Sequence, residues 1–147
     1  MLKRLTMDDK SKLLIVEDNT DARELMAIVL QRSGFEIIEA ANGLEALERT
    51  LDNRPDLIIM DIGLPKMTGD QVTARIKADP STADIPVIVN TAFNDGAYIQ
   101  RAIAAGAAEV LRKPTELKVL IHVVRRHLAL RQDRAGMLSS SIDEASV

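Results

Sequence analysis

The sequence predicts a doubly wound α/β sandwich, in which helices cover both faces of a five-stranded parallel sheet. Five short runs rich in Leu, Ile and Val are spaced along the chain, as strands buried on both faces require. Segments with the 3.6-residue spacing of amphipathic helices lie between these runs and after the last one. Strands that alternate with helices in this way are typical of a parallel sheet wound on both sides.

The predicted strands are the most apolar parts of the chain. Each is four to six residues long, the usual length of a buried strand, and most are flanked by residues that form turns. In chain order they are LLIV at 13–16, FEIIEA from Phe35, LIIM at 57–60, VIVN from Val87 and EVLR from Glu109.

The predicted helices repeat apolar residues at intervals of three and four. Helix by helix, these residues are Ala22, Leu25, Met26 and Val29; Leu44, Leu47 and Leu51; Val72 and Ile76; Ile99, Ala102 and Ile103; and Leu117, Leu120, Ile121, Val124 and Leu128. The third helix is expected over 69–78, and the last begins after Pro114. Gly106 follows the fourth helix, so we expect it to be the C-cap there.

Length and composition predict a single domain. The chain has 147 residues, 46% of them hydrophobic and 28% charged, which suffices for one well-formed core. We predict an N-terminal extension at 1–11, the folded domain at 12–131 and a flexible tail at 132–147, where small and polar residues follow no period. A tail of this length has no room for a helix-turn-helix unit, so we expect no DNA-binding domain.

The same composition argues against several classes of function. The formal net charge is −3, so nothing favours nucleic acid or an anionic membrane as a partner. No apolar run approaches the roughly 20 residues of a membrane helix, and the N-terminus does not resemble a signal peptide. The chain has no cysteine, which excludes disulfides and fits a reducing compartment. We therefore expect a cytoplasmic protein.

Polar residues stand at the ends of four predicted strands. Glu17 and Asp18 follow the first strand, Asp61 the third, Thr91 the fourth, and Lys113 the fifth. Because ligand sites of open parallel sheets lie beyond the carboxyl ends of the strands, we expect these groups to converge. Each residue alone has a simpler interpretation, as a helix cap, a turn former or a solvated lysine, but the set favours a reactive site.

The chemistry that suits these groups is phosphoryl transfer with Mg²⁺. Clustered carboxylates repel one another unless a cation joins them, and hard oxygen ligands with open positions suit Mg²⁺. A carboxylate beside the ion can attack phosphorus and form an acyl phosphate. Lys113 would offset the charge of the transferring group, and Thr91 would hydrogen-bond one of its oxygens. We choose Asp61 as the phosphorylated acid, because Glu17 and Asp18 can flank a cation beside it.

In these features the chain resembles the receiver domains of two-component response regulators. The resemblance covers residues 12–130 and rests on four fragments in the family's order and spacing. These are LLIVEDN, PDLIIMDIGLPKMTG, VIVNTA and GAAEVLRKP. It implies a parallel sheet in the flavodoxin-like strand order 2-1-3-4-5. It also implies a signalling protein, not a metabolic enzyme, which takes a phosphoryl group from a histidine kinase phosphohistidine and slowly hydrolyses it.

The resemblance assigns a role to individual residues. Matched motif by motif, these are the phospho-acceptor Asp61, the metal-binding acids Glu17 and Asp18, the carbonyl ligand Gly63, the switch hydroxyl Thr91 and the phosphoryl-contacting Lys113. Lys113-Pro114 matches a peptide bond that is cis in the family. The implied partners are a sensor histidine kinase or phosphotransfer protein, and a downstream protein that the sequence does not identify.

The chain departs from the family pattern in two respects. Many receivers carry Tyr or Phe on strand five at the position of Val110, where the ring turns inward on activation. Val110 has no ring, so we expect activation to be transmitted through backbone or loop movement. The residues that tune loss of the phosphoryl group are Gly63 and Phe93, neither of which can orient a water molecule through its side chain. We therefore expect slow hydrolysis.

The last helix shows a second apolar stripe, which predicts a partner surface. Two stripes on one terminal helix suggest that one packs on the sheet and the other on a partner. The predicted surface consists of Tyr98, Val119, Val123, His127 and Leu130. Many receivers dimerise or bind targets through their last two helices, so a homodimer is one predicted use of this surface.

Other functions fit parts of the sequence. A scaffold that keeps the fold for binding alone would not need the whole set of site residues. An aspartyl-phosphate hydrolase would need a second acid two residues after Asp61, where Gly63 stands, and a nucleotide-binding or flavin enzyme would need a glycine-rich loop after the first strand. Among signalling proteins, a standalone regulator, a relay intermediate and a piece of a hybrid kinase all fit, and the start at Met1 favours the first.

Overall fold

The computed structural model describes residues 10–92 and 96–146, with the side chains of the last helix described as far as residue 136. Within these ranges, five strands alternate with five helices. The strands are β1 (Lys12–Val16), β2 (Glu36–Ala40), β3 (Leu57–Met60), β4 (Val87–Thr91) and β5 (Glu109–Arg112). The helices are α1 (Thr20–Arg32), α2 (Gly43–Asn53), α3 (Gly69–Ala78), α4 (Gly96–Ala105) and α5 (Leu117–Ser146).

All strand pairs in the sheet are parallel, and the order is β2-β1-β3-β4-β5. The predicted fold class and strand order are therefore confirmed. In register, Val16 pairs with Met60 of β3, and Thr91 pairs with Arg112 of β5. The carboxyl ends of β1, β3, β4 and β5 consequently meet at one edge, where the predicted site residues follow.

Both faces of the sheet are covered, which explains why its strands are so apolar. Alternate residues of a strand point to opposite faces. Leu14, Ile58 and Val87 belong to a core shared with α2, α3 and α4, whereas Leu13, Ile59 and Ile88 belong to a core shared with α1 and α5. A strand with one face in water would need polar residues at every second position.

The apolar stripes predicted for α3 and α5 face the sheet, whereas those of α1, α2 and α4 do so only in part. In α2 the buried residues are Gly43, Ala46 and Thr50, whereas Leu44 and Leu51 are 45% and 52% exposed. Close packing decides this rotation, because a Cβ on Gly43 would lie 2.5 Å from the carbonyl oxygen of Met67. Leu25 of α1 is likewise exposed, while Met26, Ala27 and Leu30 are buried.

The ends of the helices match the sequence in one case and differ in another. Gly106 adopts a φ of +110° after α4, a conformation that favours glycine, so its prediction as a C-cap is confirmed. Helix α5 continues to Ser146 and so runs through residues for which the sequence predicts a flexible tail. The domain boundaries remain a prediction. None of the helices described is long and apolar enough to cross a membrane.

Candidate functional site

Three carboxylates meet at the carboxyl edge of the sheet. Glu17 and Asp18 follow β1, and Asp61 follows β3, its neighbour in the sheet. Each can place one oxygen so that all three oxygens lie within 4.8 Å of one another. Glu17 is buried, Asp61 is half-buried and Asp18 is exposed, so the cluster opens to solvent on the Asp18 side. The structure thus brings together the acids that the sequence singles out.

Lys113 supplies the positive charge of this cluster. Its Nζ donates hydrogen bonds to Glu17 Oε1 at 2.6 Å and to Asp61 Oδ2 at 3.3 Å. Burial alone would lower the pKa of Lys113, but the hydrogen bond to Glu17 and the charge of Asp61 outweigh this effect, so that its pKa is raised above 10.5. The ammonium is therefore charged at neutral pH and offsets part of the repulsion among the acids.

The loop that carries the acidic pair is held by hydrogen bonds on both sides. Asn19 caps α1 by accepting from the backbone N–H of Ala22 at 2.8 Å, and its own N–H donates to Glu17 Oε2 at 3.1 Å. Arg23 donates from Nη1 to the backbone carbonyl of Glu17 at 2.8 Å and from Nε to Glu39 Oε1 at 3.1 Å. Arg23 could not be predicted as a supporting residue from the sequence, because a single arginine on a helix has no distinctive pattern.

Asp61 is fixed by its backbone and by the close approach of α3. Its N–H donates to the carbonyl oxygen of Val16 at 3.1 Å, which extends the ladder between β1 and β3. A Cβ on Gly69 would lie only 2.2 Å from the carbonyl oxygen of Asp61, so only glycine fits there. Gly63 is exposed, and its N–H lies 3.3 Å from Asp61 Oδ1. Its role as a carbonyl ligand stays a prediction.

Strand β4, which ends at Thr91, is joined to the turn after β5 that carries Lys113. Thr91 is fully buried at the end of β4, and its carbonyl oxygen accepts from the N–H of Lys113 at 2.8 Å. The Lys113-Pro114 peptide bond is cis, as the resemblance implies. The Thr115 hydroxyl donates to Asn90 Oδ1 at 2.9 Å. The pairing of Asn90 with Thr115 was not predicted, although Asn90 is a polar residue in an otherwise apolar run.

Of the residues that the resemblance assigns to activation and to hydrolysis, Val110 and Thr91 are described by the structure and Phe93 is not. Val110 pairs with Val89 of β4, is partly buried and packs against the core shared with α2, α3 and α4. Its role in transmitting activation stays a prediction, as does that of Thr91. Phe93, which the sequence analysis places at a position that tunes hydrolysis, lies outside the described residues.

The predicted partner surface is only partly exposed, and for Val123 the prediction is wrong. Val123 is 4% exposed and packs in the core shared with α1 and α5, because α5 turns that side toward the sheet. Val119 and Leu130 are exposed at 42% and 47%. His127 is partly buried and lies 2.8 Å from Glu109 Oε1, whereas the Tyr98 ring lies 4.8 Å from the guanidinium carbon of Arg101.

The donor set of the cluster fits a hard divalent cation. Three carboxylates offer oxygen ligands close together, and the exposed side of the cluster leaves room for water or a further oxygen ligand. A carboxylate held beside such a cation is suited to accept a phosphoryl group. The raised pKa of Lys113 keeps a positive charge 3.3 Å from Asp61, where charge would develop during the transfer.

The sequence is similar to those of known response regulators. The model of the response regulator receiver domain matches residues 13–125. The chain is 38% identical over 116 residues to the polar-differentiation response regulator DivK of Brucella anthropi, covering 79% of this chain and 94% of DivK. It is 34% identical over 131 residues to the phosphate regulon transcriptional regulatory protein PhoB of Pseudomonas aeruginosa, covering 89% of this chain and 56% of PhoB.

Solved structures of similar sequence share the fold. The signal receiver domain of a signal transduction histidine kinase from Syntrophus aciditrophicus has a TM-score of 0.77 at 34% identity, covering 81% of this chain and 90% of that one. The chemotaxis response regulator CheY4 of Vibrio cholerae has a TM-score of 0.75 at 30% identity, covering 80% of this chain and 98% of CheY4. The chain therefore belongs to the response regulator receiver domain family of two-component signalling systems.

Proposed function

We propose that the protein is a phospho-accepting receiver, phosphorylated on Asp61 by the phosphohistidine of a sensor histidine kinase or a phosphotransfer protein. The single observation that carries this proposal is the grouping of Glu17, Asp18 and Asp61 within 4.8 Å, with Lys113 bonded to two of them. A structural role alone would not require so many charges at one edge, because each costs desolvation energy unless it is paired.

Mg²⁺ is the proposed cofactor, with Glu17, Asp18, Asp61 and the carbonyl of Gly63 as its ligands. When bound, the ion would neutralise charge on the oxygens of the transferring group. A carboxylate oxygen of Asp61 attacks phosphorus, an O–P bond forms, and the N–P bond of the phosphohistidine breaks. The departing imidazole nitrogen keeps the electron pair of that bond. Lys113 offsets the negative charge, and Thr91 donates to a phosphoryl oxygen.

The output of this receiver goes through protein contacts in our proposal. DivK is named for a role in polar differentiation and PhoB for transcriptional regulation, so relatives of this chain act in different pathways. Since Val110 provides no ring to move, we propose that backbone or loop movement carries the signal. We also propose slow loss of the phosphoryl group, because Gly63 has no side chain to orient water. We place this chemistry in the cytoplasm, as the cysteine-free sequence predicts.

Intact mass spectrometry after incubation with Mg²⁺ and acetyl phosphate tests the proposal. We expect one phosphoryl adduct in the wild type, none without Mg²⁺ and none in Asp61→Asn. Asp52→Asn is a matched control, because Asp52 is exposed near the end of α2. The control should form the adduct at the wild-type rate. No adduct in a folded wild-type protein would refute the proposal and favour a binding scaffold, and an adduct retained in Asp61→Asn would place the acceptor elsewhere.

A further inference from the structure

Asn90 is a buried amide in a strand that is otherwise apolar except at its end. It is 5% exposed, and the strand residues before it, Val87, Ile88 and Val89, have no exposed surface. Burying an amide costs free energy unless the group is hydrogen-bonded. The Oδ1 of Asn90 lies 2.9 Å from the Thr115 hydroxyl, whose single hydrogen is shared with the Arg112 carbonyl oxygen at 3.0 Å. Among the described residues, the side-chain partner of Asn90 is Thr115, which lies outside the sheet.

Thr115 belongs to the short turn that carries Lys113. The turn lies between Arg112, the last residue of β5, and Leu117, the first residue of α5. Two hydrogen bonds tie this turn to β4. The N–H of Lys113 donates to the carbonyl oxygen of Thr91 at 2.8 Å, and the Thr115 hydroxyl donates to Asn90 Oδ1. The ties lie on either side of the Lys113 side chain along the sequence. Together they limit rotation of the turn about β5.

The turn that carries Lys113 borders open space on one side. An open groove of about 500 Å³ lies beside it, lined by Ala22, Leu25 and Met26 of α1 as well as by Asn90, Lys113 and Thr115. The hydrogen bond between Thr115 and Asn90 therefore restrains this turn on the side that borders the groove.

We propose that Asn90 and Thr115 are positioning residues that hold the Lys113 ammonium between Glu17 and Asp61. The proposal rests on the proposed function for the role of Lys113 in phosphoryl transfer. The Nζ atom reaches Glu17 at 2.6 Å and Asp61 at 3.3 Å, so it has little room to move without losing one contact. A displacement of about 1 Å is enough to reduce the rate of a positioned reaction up to a hundredfold.

Asn90→Leu and Thr115→Val test the proposal, because both remove the tie and keep the number and branching of the side-chain heavy atoms. With acetyl phosphate and saturating Mg²⁺, we expect each variant to be phosphorylated roughly tenfold more slowly than the wild type. The double variant should be no slower than Thr115→Val, since both single changes remove the tie to Asn90 and Thr115→Val also removes the hydrogen bond to the Arg112 carbonyl oxygen. Thr115→Ser keeps the hydroxyl and should restore the rate.

A second readout follows Lys113 without any phosphorylation. An amine-reactive reagent labels lysines, and peptide mass spectrometry gives the rate at each one. Lys113 should be labelled faster in Asn90→Leu and Thr115→Val, because its ammonium leaves the two carboxylates. Lys118, whose side chain is 84% exposed, is the internal reference and should be unchanged.

The two readouts distinguish the possible failures. Wild-type rates of phosphorylation and labelling in both variants would overturn the positioning role. Slow phosphorylation with unchanged labelling of Lys113 would also overturn it, because the tie would then act without moving the ammonium. If the wild type itself forms no adduct, the proposed function fails, and the labelling still decides whether Asn90 and Thr115 position Lys113.

Discussion

Replacing Lys113 by methionine tests whether the carboxylates and the ammonium form one electrostatic unit. Methionine keeps an apolar chain of similar length but removes the positive charge. In the wild type, the side chains of Glu17, Asp61 and Lys113 are 6%, 14% and 28% exposed. The substitution therefore leaves two largely buried carboxylates, which Asp18 repels from the exposed side, without their cation.

The expected loss of stability follows from these exposures. Removing one partner of a buried ion pair destabilises a protein by about 3–5 kcal/mol. Solvent reaches Lys113, and Glu17 keeps the hydrogen bond from the N–H of Asn19, so we reduce this figure to about 2 kcal/mol. For a chain of 147 residues, that loss lowers Tm by roughly 6–8 °C.

Thermal melts followed by circular dichroism in EDTA measure this effect. Lys118→Met is the matched control, because Lys118 is 84% exposed and its contact with Glu116 is 3.5 Å long. Its Tm should stay within about 1 °C of the wild type. Added Mg²⁺ should raise the Tm of Lys113→Met more than that of the wild type, because the ion replaces the missing charge. Equal melting of Lys113→Met and the wild type in EDTA would refute the reasoning.

Three further predictions concern backbone fit, helix propensity and pH. Gly69→Ala should lower the free energy of unfolding by roughly 3 kcal/mol and slow phosphorylation, because its Cβ would meet the carbonyl of Asp61 at 2.2 Å; wild-type urea unfolding would contradict this. A Cβ added at Gly136, on the exposed face of α5, would meet nothing within 4 Å. Gly136→Ala should therefore raise the free energy of unfolding by about 0.5–1 kcal/mol in the same assay, and a decrease would be evidence against a helix there. The hydrogen bond from Arg131 holds the pKa of Asp84 below 3.8, so its stabilisation is present above pH 3.8 and is lost as the pH falls below it. The difference in urea midpoint between the wild type and Asp84→Asn should therefore vanish in acid, and a difference that persists there would exclude this origin.

The charged core of the site could be predicted from the sequence, whereas the residues that support it could not. Asp61, Glu17 and Asp18 follow apolar runs, and parallel strands bring such positions to one edge whatever the details of packing. Arg23 and Thr115 carry no comparable signal, because their hydrogen bonds to Glu39 and Asn90 join residues that are 16 and 25 positions apart in the sequence. Only the folded chain shows which of many surface polar residues make such contacts.

Helix orientation shows the same limit. The leucine stripe of α2 has the spacing of a buried face, but Ala46 is buried there and Leu44 is exposed. Val123 likewise belongs to the core, although its spacing with Val119 suggests an outer stripe. Spacing identifies a helix but not the rotation at which it packs, since small residues that allow close approach compete with large ones for the sheet.

The sequence by itself therefore determined the fold class, the strand order through its resemblance to receivers, and the acids and lysine that meet at the carboxyl edge. These depend on local periodicity and on the order of elements along the chain, both of which are written in consecutive residues. The tertiary structure alone decided the rotation of α1 and α2, the burial of Val123 and the tie between Asn90 and Thr115. Each of these depends on the distance between residues that only folding brings together.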